Sequence, residues 1–200
     1  MAAGPGSRAA TRLGAAMLMG AALAGCAAIL PQSPNAIYDL TAPEGFTSPA
    51  ARSVQILIPV PATIKALDTE RIAARPTPGE YAYLPNAVWS DQLPRLLQTR
   101  LMQTFQNSGK VRATALPGQG VLIDYQVVLD VRAFELAGNG AMAEFAVKLM
   151  DDRNGRVVAS RVIREFVELP AFDTPTIVTG LDHAMDAAYL EIVTWSLQHL

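Results

Sequence analysis

The sequence is poor in the residues that most often carry chemistry. It contains one cysteine and two histidines among 200 residues. A single cysteine excludes a disulfide bond within the chain, so packing must hold the fold together. His183 lies between Asp182 and Asp186 on a predicted helix, where a solvated polar face is a better interpretation than a metal site with three ligands. No arrangement typical of a serine hydrolase is present. The sequence therefore predicts a protein that is not an enzyme and holds neither metal nor cofactor.

Charge excludes two further classes of partner. The chain has 16 basic and 18 acidic residues, with a formal net charge of −2, whereas a nucleic-acid-binding domain carries a basic face. The same balance argues against a polybasic membrane-binding patch. No glycine-rich loop that could hold phosphates is present, so any ATP hydrolysis must come from another subunit.

The one cysteine follows a short apolar segment near the N-terminus. Arg8 and Arg12 precede an apolar run over residues 13–23, and no acidic residue comes before Cys26. The run is shorter than the ~20 residues that a transmembrane helix needs, and its composition is typical of a secretory signal peptide. An ordinary cleaved signal would leave an unpaired cysteine in an oxidising compartment, which is unusual.

The segment Leu23-Ala24-Gly25-Cys26 resembles the lipobox of bacterial lipoproteins. The resemblance implies cleavage before Cys26, acylation of that residue with palmitate or a similar fatty acid, and attachment to a membrane. Ala27 stands where an aspartate would imply retention in the inner membrane, so the resemblance implies the outer membrane, facing the periplasm. We predict a signal peptide over residues 1–25, and a lipidated cysteine with a flexible, proline-rich tether over residues 26–52.

Residues 53–200 carry the periodic patterns of one domain. Alternating apolar residues predict a strand over Ser53–Val60, and a hairpin of Arg71–Arg75 with Glu80–Leu84. Residues 37–40, inside the tether, could dock as an edge strand. Three longer strands then form an antiparallel meander with one apolar face; they cover residues 121–136, 141–150 and 156–169.

Two helices with one apolar stripe each complete the domain. The first is predicted over Trp89–Asn107, with Ser90 or Asp91 as its cap, and the second opens at Thr174-Pro175. A sheet with one apolar face and two striped helices pack most simply as two layers. We therefore predict a single α+β domain with a mainly antiparallel sheet and both helices on one face.

Three aromatic residues are candidates for contact with a partner protein, because aromatic side chains are enriched in the cores of interfaces. Tyr81 and Tyr83 lie in a short segment before a proline, and Trp89 lies at the start of the predicted helix. Core packing is the alternative interpretation for the tryptophan.

In their order along the chain, these features resemble the ABC-type transport auxiliary lipoproteins, the PqiC/YmbA-like group. The resemblance rests on the lipobox, Tyr38-Asp39-Leu40, Ile58-Pro59-Val60 and the final helix closing on Trp195. Leu67-Asp68, Arg71-Ile72 and the helix with Leu93, Leu97 and Leu101 belong to the same pattern.

The resemblance implies a non-catalytic accessory subunit of an ABC transport system with an MCE-domain protein, which moves lipids or other hydrophobic molecules across the Gram-negative envelope. Its expected partners are the MCE-domain protein, the ABC transporter subunits and a membrane reached through the lipid anchor, with further copies of the chain as an open alternative. A stand-alone periplasmic carrier of lipids or other hydrophobic ligands is the other function kept open. The carrier needs an enclosed apolar pocket.

Overall fold

The computed structural model describes residues 36–44 and 52–200. The predicted signal peptide, Cys26 and most of the predicted tether lie outside the described residues. The strands in the described part are β1 Ala36–Tyr38, β2 Gln55–Leu57, β3 Ala62–Thr63, β4 Arg71–Arg75, β5 Ala82–Trp89, β6 Ala113–Ala115, β7 Tyr125–Ala137, β8 Gly140–Asp151 and β9 Arg156–Glu168. The helices are α1 Leu93–Ser108 and α2 Thr174–Gln198.

One mixed sheet carries both helices. β7, β8 and β9 form the predicted antiparallel meander, and β4 and β5 form the predicted hairpin. The short strands pair in parallel, β1 with β5, β2 with β6, and β2, β3 and β4 with β7. The predicted α+β fold is confirmed, and its longest pairings are antiparallel.

The apolar face of the meander matches the predicted alternation up to a bulge. Val127, Leu129 and Val131 are buried in β7. The register with β8 then shifts between Val131 and Ala133. An extra residue at a bulge reverses which side chains face the core. Phe134 therefore lies in the core cluster.

Helix α1 starts later than predicted. Strand β5 continues to Trp89, whose backbone N–H donates to the carbonyl of Glu70. The residue before the helix is Gln92, which makes no side-chain capping bond, so the predicted caps Ser90 and Asp91 are wrong. Because the helix starts at Leu93, Pro94 lies in its first turn, where a missing N–H leaves no hydrogen bond unmade.

The cap of helix α2 lies one residue earlier than predicted. Asp173, rather than the predicted Thr174, accepts a hydrogen bond from the N–H of Thr176. The predicted apolar stripe is buried; its members are Ile177, Leu181, Ala184, Met185, Ala188, Ile192 and Trp195. Among the described residues, neither helix combines the length and hydropathy needed to cross a bilayer.

The turn between β8 and β9 is not the two-residue type I′ turn that the pair Asn154-Gly155 favours. Asp151 pairs with Arg156, so the loop has four residues rather than a two-residue type I′ turn at Asn154-Gly155. Gly155 has a φ of 68°, whereas Asn154 does not have a positive φ. A type I′ turn requires positive φ at both central residues.

Residues 36–44 pack on the domain. β1 pairs with β5 as an edge strand, as predicted for residues 37–40, and Leu40 is buried. The N–H and hydroxyl of Thr41 donate to the two carboxylate oxygens of Asp182 over 2.7 and 2.9 Å. This part of the predicted tether of residues 26–52 is therefore attached to the domain, because it offers one buried side chain and matched polar groups.

Candidate partner-binding surface

Two arginines and two tyrosines share one face of the hairpin formed by β4 and β5. Ile72 of β4 is fully buried in the core cluster, and successive side chains in a strand alternate between faces. Arg71 and Arg75 therefore lie on the opposite face. Tyr83 joins them because it pairs with Ala73 across the hairpin, and Tyr81 precedes it by two residues. Together with Glu135 of β7, we call these residues the tyrosine–arginine cluster.

Cation–π contacts hold the cluster in place. The guanidinium carbon of Arg71 lies 3.7 Å from the ring centre of Tyr83, and that of Arg75 lies 4.7 Å from the ring centre of Tyr81. The hydroxyl of Tyr83 donates to the carbonyl of Ala66 over 3.1 Å. Such contacts contribute ~0.5–1 kcal/mol at exposed sites. They fix the rings without burying them completely, because both tyrosines are half-buried.

A buried carboxylate forms an ion pair with one arginine of the cluster. Glu135 is 1% exposed, and its Oε1 lies 2.6 Å from Nε of Arg75. Arg75 also donates to the hydroxyl of Tyr81. Burial raises the pKa of Tyr81, and the negative charge of Glu135 raises it further. The hydroxyl therefore stays protonated while it accepts the hydrogen bond from Arg75.

The structure brings together two of the three predicted contact residues. Tyr81 and Tyr83 are neighbours in the cluster, whereas Trp89 is 2% exposed and packs on Phe134, with ring centres 5.9 Å apart. Trp89 thus lies in the core, as the alternative interpretation had it. The two arginines carry no motif of their own in the sequence, although the predicted hairpin already placed them beside the tyrosines. No sequence pattern indicates Glu135, which follows the bulge in β7.

A separate apolar groove lies where β9 ends and α2 begins. It has a volume of about 400 Å³. Its lining includes Val167, Leu169, Pro170, Pro175, Thr179 and His183. Pro175, Thr179 and His183 are exposed at its rim, so the groove is open to solvent. Gly180 closes its base: a Cβ there would lie 2.3 Å from a methyl carbon of Leu169.

Acidic residues on α2 form no metal site. Among residues 36–44 and 52–200, no group of three or more His, Cys, Asp or Glu side chains could hold a metal ion. Burial and, to a smaller extent, the charge of Asp182 raise the pKa of Asp186 to about 6, although His183 opposes the shift. Oδ1 of Asp186 is buried and has no hydrogen-bond partner in this part of the chain.

Replacing Asp186 with asparagine is expected to change how stability depends on pH. The folded protein binds the proton of Asp186 more tightly than the unfolded chain, whose aspartates titrate near 3.8. The stabilisation from this group is complete below pH ~4 and is lost as pH rises through about 6. The neutral variant avoids that loss. We therefore expect its melting temperature to exceed that of the wild type at pH 7, with the difference shrinking towards pH 4. A difference that is constant across this range would contradict the assignment.

Comparisons with known proteins identify relatives for most of the described chain. Residues 38–193 match the family model described as "ABC-type transport auxiliary lipoprotein component". The uncharacterized protein bll6063 of Bradyrhizobium diazoefficiens is 30% identical over 164 residues, which cover 80% of this chain. The match spans 44% of the length of that curated relative.

Solved structures share the fold. The crystal structure of protein XCC0632 from Xanthomonas campestris, assigned to the family DUF330, is 30% identical with a TM-score of 0.76, and the match covers 82% of this chain and 95% of that one. The hypothetical protein CT253 from Chlamydia trachomatis has a TM-score of 0.53 at 9% identity, with 74% of this chain and 98% of that one covered. At this identity, the second likeness concerns the fold alone.

Proposed function

We propose a function for this chain from its family: it belongs to the ABC-type transport auxiliary lipoproteins, and we infer that it is the non-catalytic accessory subunit of an MCE-type ABC system. In this role it is held by lipid on Cys26 at the periplasmic side of the outer membrane. The system it serves moves lipids or other hydrophobic molecules across the Gram-negative envelope. The observation that carries the proposal is the family match over residues 38–193.

The way the core is filled supports an accessory subunit over the alternative, a carrier of lipid. Alanines line the contact between α2 and the sheet, and Ala141, Ala143 and Ala188 are fully buried. Small residues allow a helix and a sheet to approach closely, which leaves less room for an enclosed ligand. The groove at the start of α2 is open to solvent, whereas a carrier needs a site that encloses most of its ligand.

Native mass spectrometry of the detergent-purified protein separates the two functions. An accessory subunit is expected to show only the mass of the polypeptide with its own covalent acyl chains. A carrier would show additional, non-covalent lipid masses that disappear on activation in the gas phase. Stoichiometric bound lipid would favour the carrier and contradict the accessory role.

The tyrosine–arginine cluster is the surface that we propose for the MCE-domain or ABC partner. Tyrosine and arginine are enriched among the residues that carry most of the energy of an interface. Here the rings of Tyr81 and Tyr83 are already fixed by Arg75 and Arg71, so little side-chain entropy remains to be lost on binding.

Replacing both tyrosines of the cluster with alanine is expected to weaken partner binding. Removing two central aromatic contacts that together contribute at least ~2 kcal/mol should lower affinity about 30-fold or more. The measurement compares how much partner co-purifies with wild type and with the Tyr81→Ala/Tyr83→Ala variant in mild detergent. Tyr125→Ala, a half-buried tyrosine at the start of β7, is the matched control. Equal recovery with all three proteins would place the interface elsewhere.

A further inference from the structure

Strand β9 forms an open edge of the sheet. It is 13 residues long and, within the described part of the chain, pairs only with β8. The N–H of Leu169 donates to the carbonyl of Asn139, and hydrogen-bonded pairs alternate along an antiparallel ladder. The backbone groups of Ser160, Val162, Arg164 and Phe166 therefore point away from β8. They are available to a further strand.

Apolar side chains accompany this open edge. Four of the exposed large hydrophobic residues lie on β9, with exposed fractions between 45% and 52%; they are Val157, Val158, Val162 and Phe166. Edge strands that remain unpaired are usually short or interrupted by charge. β9 is long, and its two central arginines are already in ion pairs within the chain, so its exposed valines and phenylalanine leave the edge suited to pairing.

The charges along β9 indicate which kind of strand can pair with its open edge. Arg156 lies at its start and Glu168 at its end. Arg161 is paired with Glu191 over 2.5 Å, and Arg164 is paired with Glu144. The guanidinium of Arg156 has no ion pair within the described residues. The strand therefore offers one free positive end and one negative end.

We propose that β9 pairs antiparallel with β9 of a second copy of the chain, about a two-fold axis at Val162. In this register Arg156 faces the second copy's Glu168, and Val158 faces the second copy's Phe166. Val162 faces its own equivalent, so the same surface serves both copies, as in the commonest closed dimers. A parallel pairing would instead place like charges side by side.

Charge exchange tests the register directly. The full chain, extracted in detergent, is expected to sediment as a dimer. Arg156→Glu and Glu168→Arg each turn two attractions into repulsions, and each should weaken the dimer on the order of tenfold at low salt. The double variant should restore it. Within one chain these residues lie about 40 Å apart along the strand, so rescue can arise only between copies.

A cysteine cross-link provides the second measurement. Equivalent residues at the two-fold axis would have Cα atoms about 5.5 Å apart, which suits a disulfide. Val162→Cys should therefore form a disulfide-linked dimer under mild oxidation. Leu122→Cys is the control: its site is 87% exposed and lies outside β9, and this variant also keeps the native Cys26. A monomeric wild type, a dimer unaffected by either charge change, or β9 occupied by a different protein would each overturn the proposal.

Discussion

Incorporation of a fatty-acid probe into the protein is expected to fall to background when Cys26 is replaced by serine. A serine hydroxyl cannot accept the diacylglyceryl group that a lipobox cysteine thiol receives. Each acyl CH₂ buried in a bilayer contributes ~0.8 kcal/mol, so the loss of every chain removes the anchor that we propose. The measurement is labelling of growing cells with an alkyne-bearing palmitate analogue, followed by purification of the protein.

A displaced thiol is the control for this experiment. In the variant Cys26→Ser/Ser33→Cys, the thiol is seven positions further along the chain and no longer follows Leu23-Ala24-Gly25. We expect no label on this variant, because the small residues before Cys26 direct the modification. Labelling of either variant at the level of the wild type would contradict lipidation at Cys26.

Replacement of Phe145 by alanine is expected to destabilise the domain by ~3–5 kcal/mol. Phe145 is fully buried and lies between Phe134 and Tyr189, with ring centres 6.4 and 5.6 Å away. With Trp89 these rings form an aromatic row that links the sheet to α2. The hydroxyl of Tyr189 continues the link by donating to the carbonyl of Leu97 in α1 over 2.9 Å.

The loss of stability in Phe145→Ala should be visible as a decrease in melting temperature of roughly 6–20 °C for a domain of this size. Urea unfolding followed by tryptophan fluorescence gives the free energy of unfolding directly. Phe172→Ala is the matched control, because Phe172 is 59% exposed and should cost less than ~0.5 kcal/mol. Similar losses for the two variants would show that the aromatic row does not hold the layers together.

Long periodic segments made most of the fold predictable. The alternation of Val127, Leu129 and Val131 indicates a strand with one buried face. The apolar stripe from Ile177 to Trp195 indicates a helix. In both cases the burial of one face decides the structure. The order of these segments along the chain then resembled one family, the ABC-type transport auxiliary lipoproteins.

The remaining features depend on pairing that the sequence does not display. β3 has two residues and β6 has three, too few for a period. Trp89 ends β5 rather than opening α1 because β1 pairs beside it, a contact 51 residues away in sequence between Tyr38 and Trp89. The bulge that turns Glu135 to the outer face is set by the register of β7 with β8, which one strand alone cannot reveal.

The candidate site was predictable in part for the same reason. Tyr81 and Tyr83 stood out as aromatics in a short segment, and the structure adds the arginines that fix them. Their role in binding a partner stays a prediction. Its strength lies in geometry: two rings, two guanidinium groups and a buried carboxylate share one face.

Identification of the proteins that co-purify with the wild-type chain tests the central claim most directly. The full-length protein would be isolated from its own cells in mild detergent, and its partners identified by mass spectrometry against a mock purification. The account predicts an MCE-domain protein and ABC transporter subunits, enriched over the mock sample. Recovery of the intact lipoprotein with neither of them would contradict it.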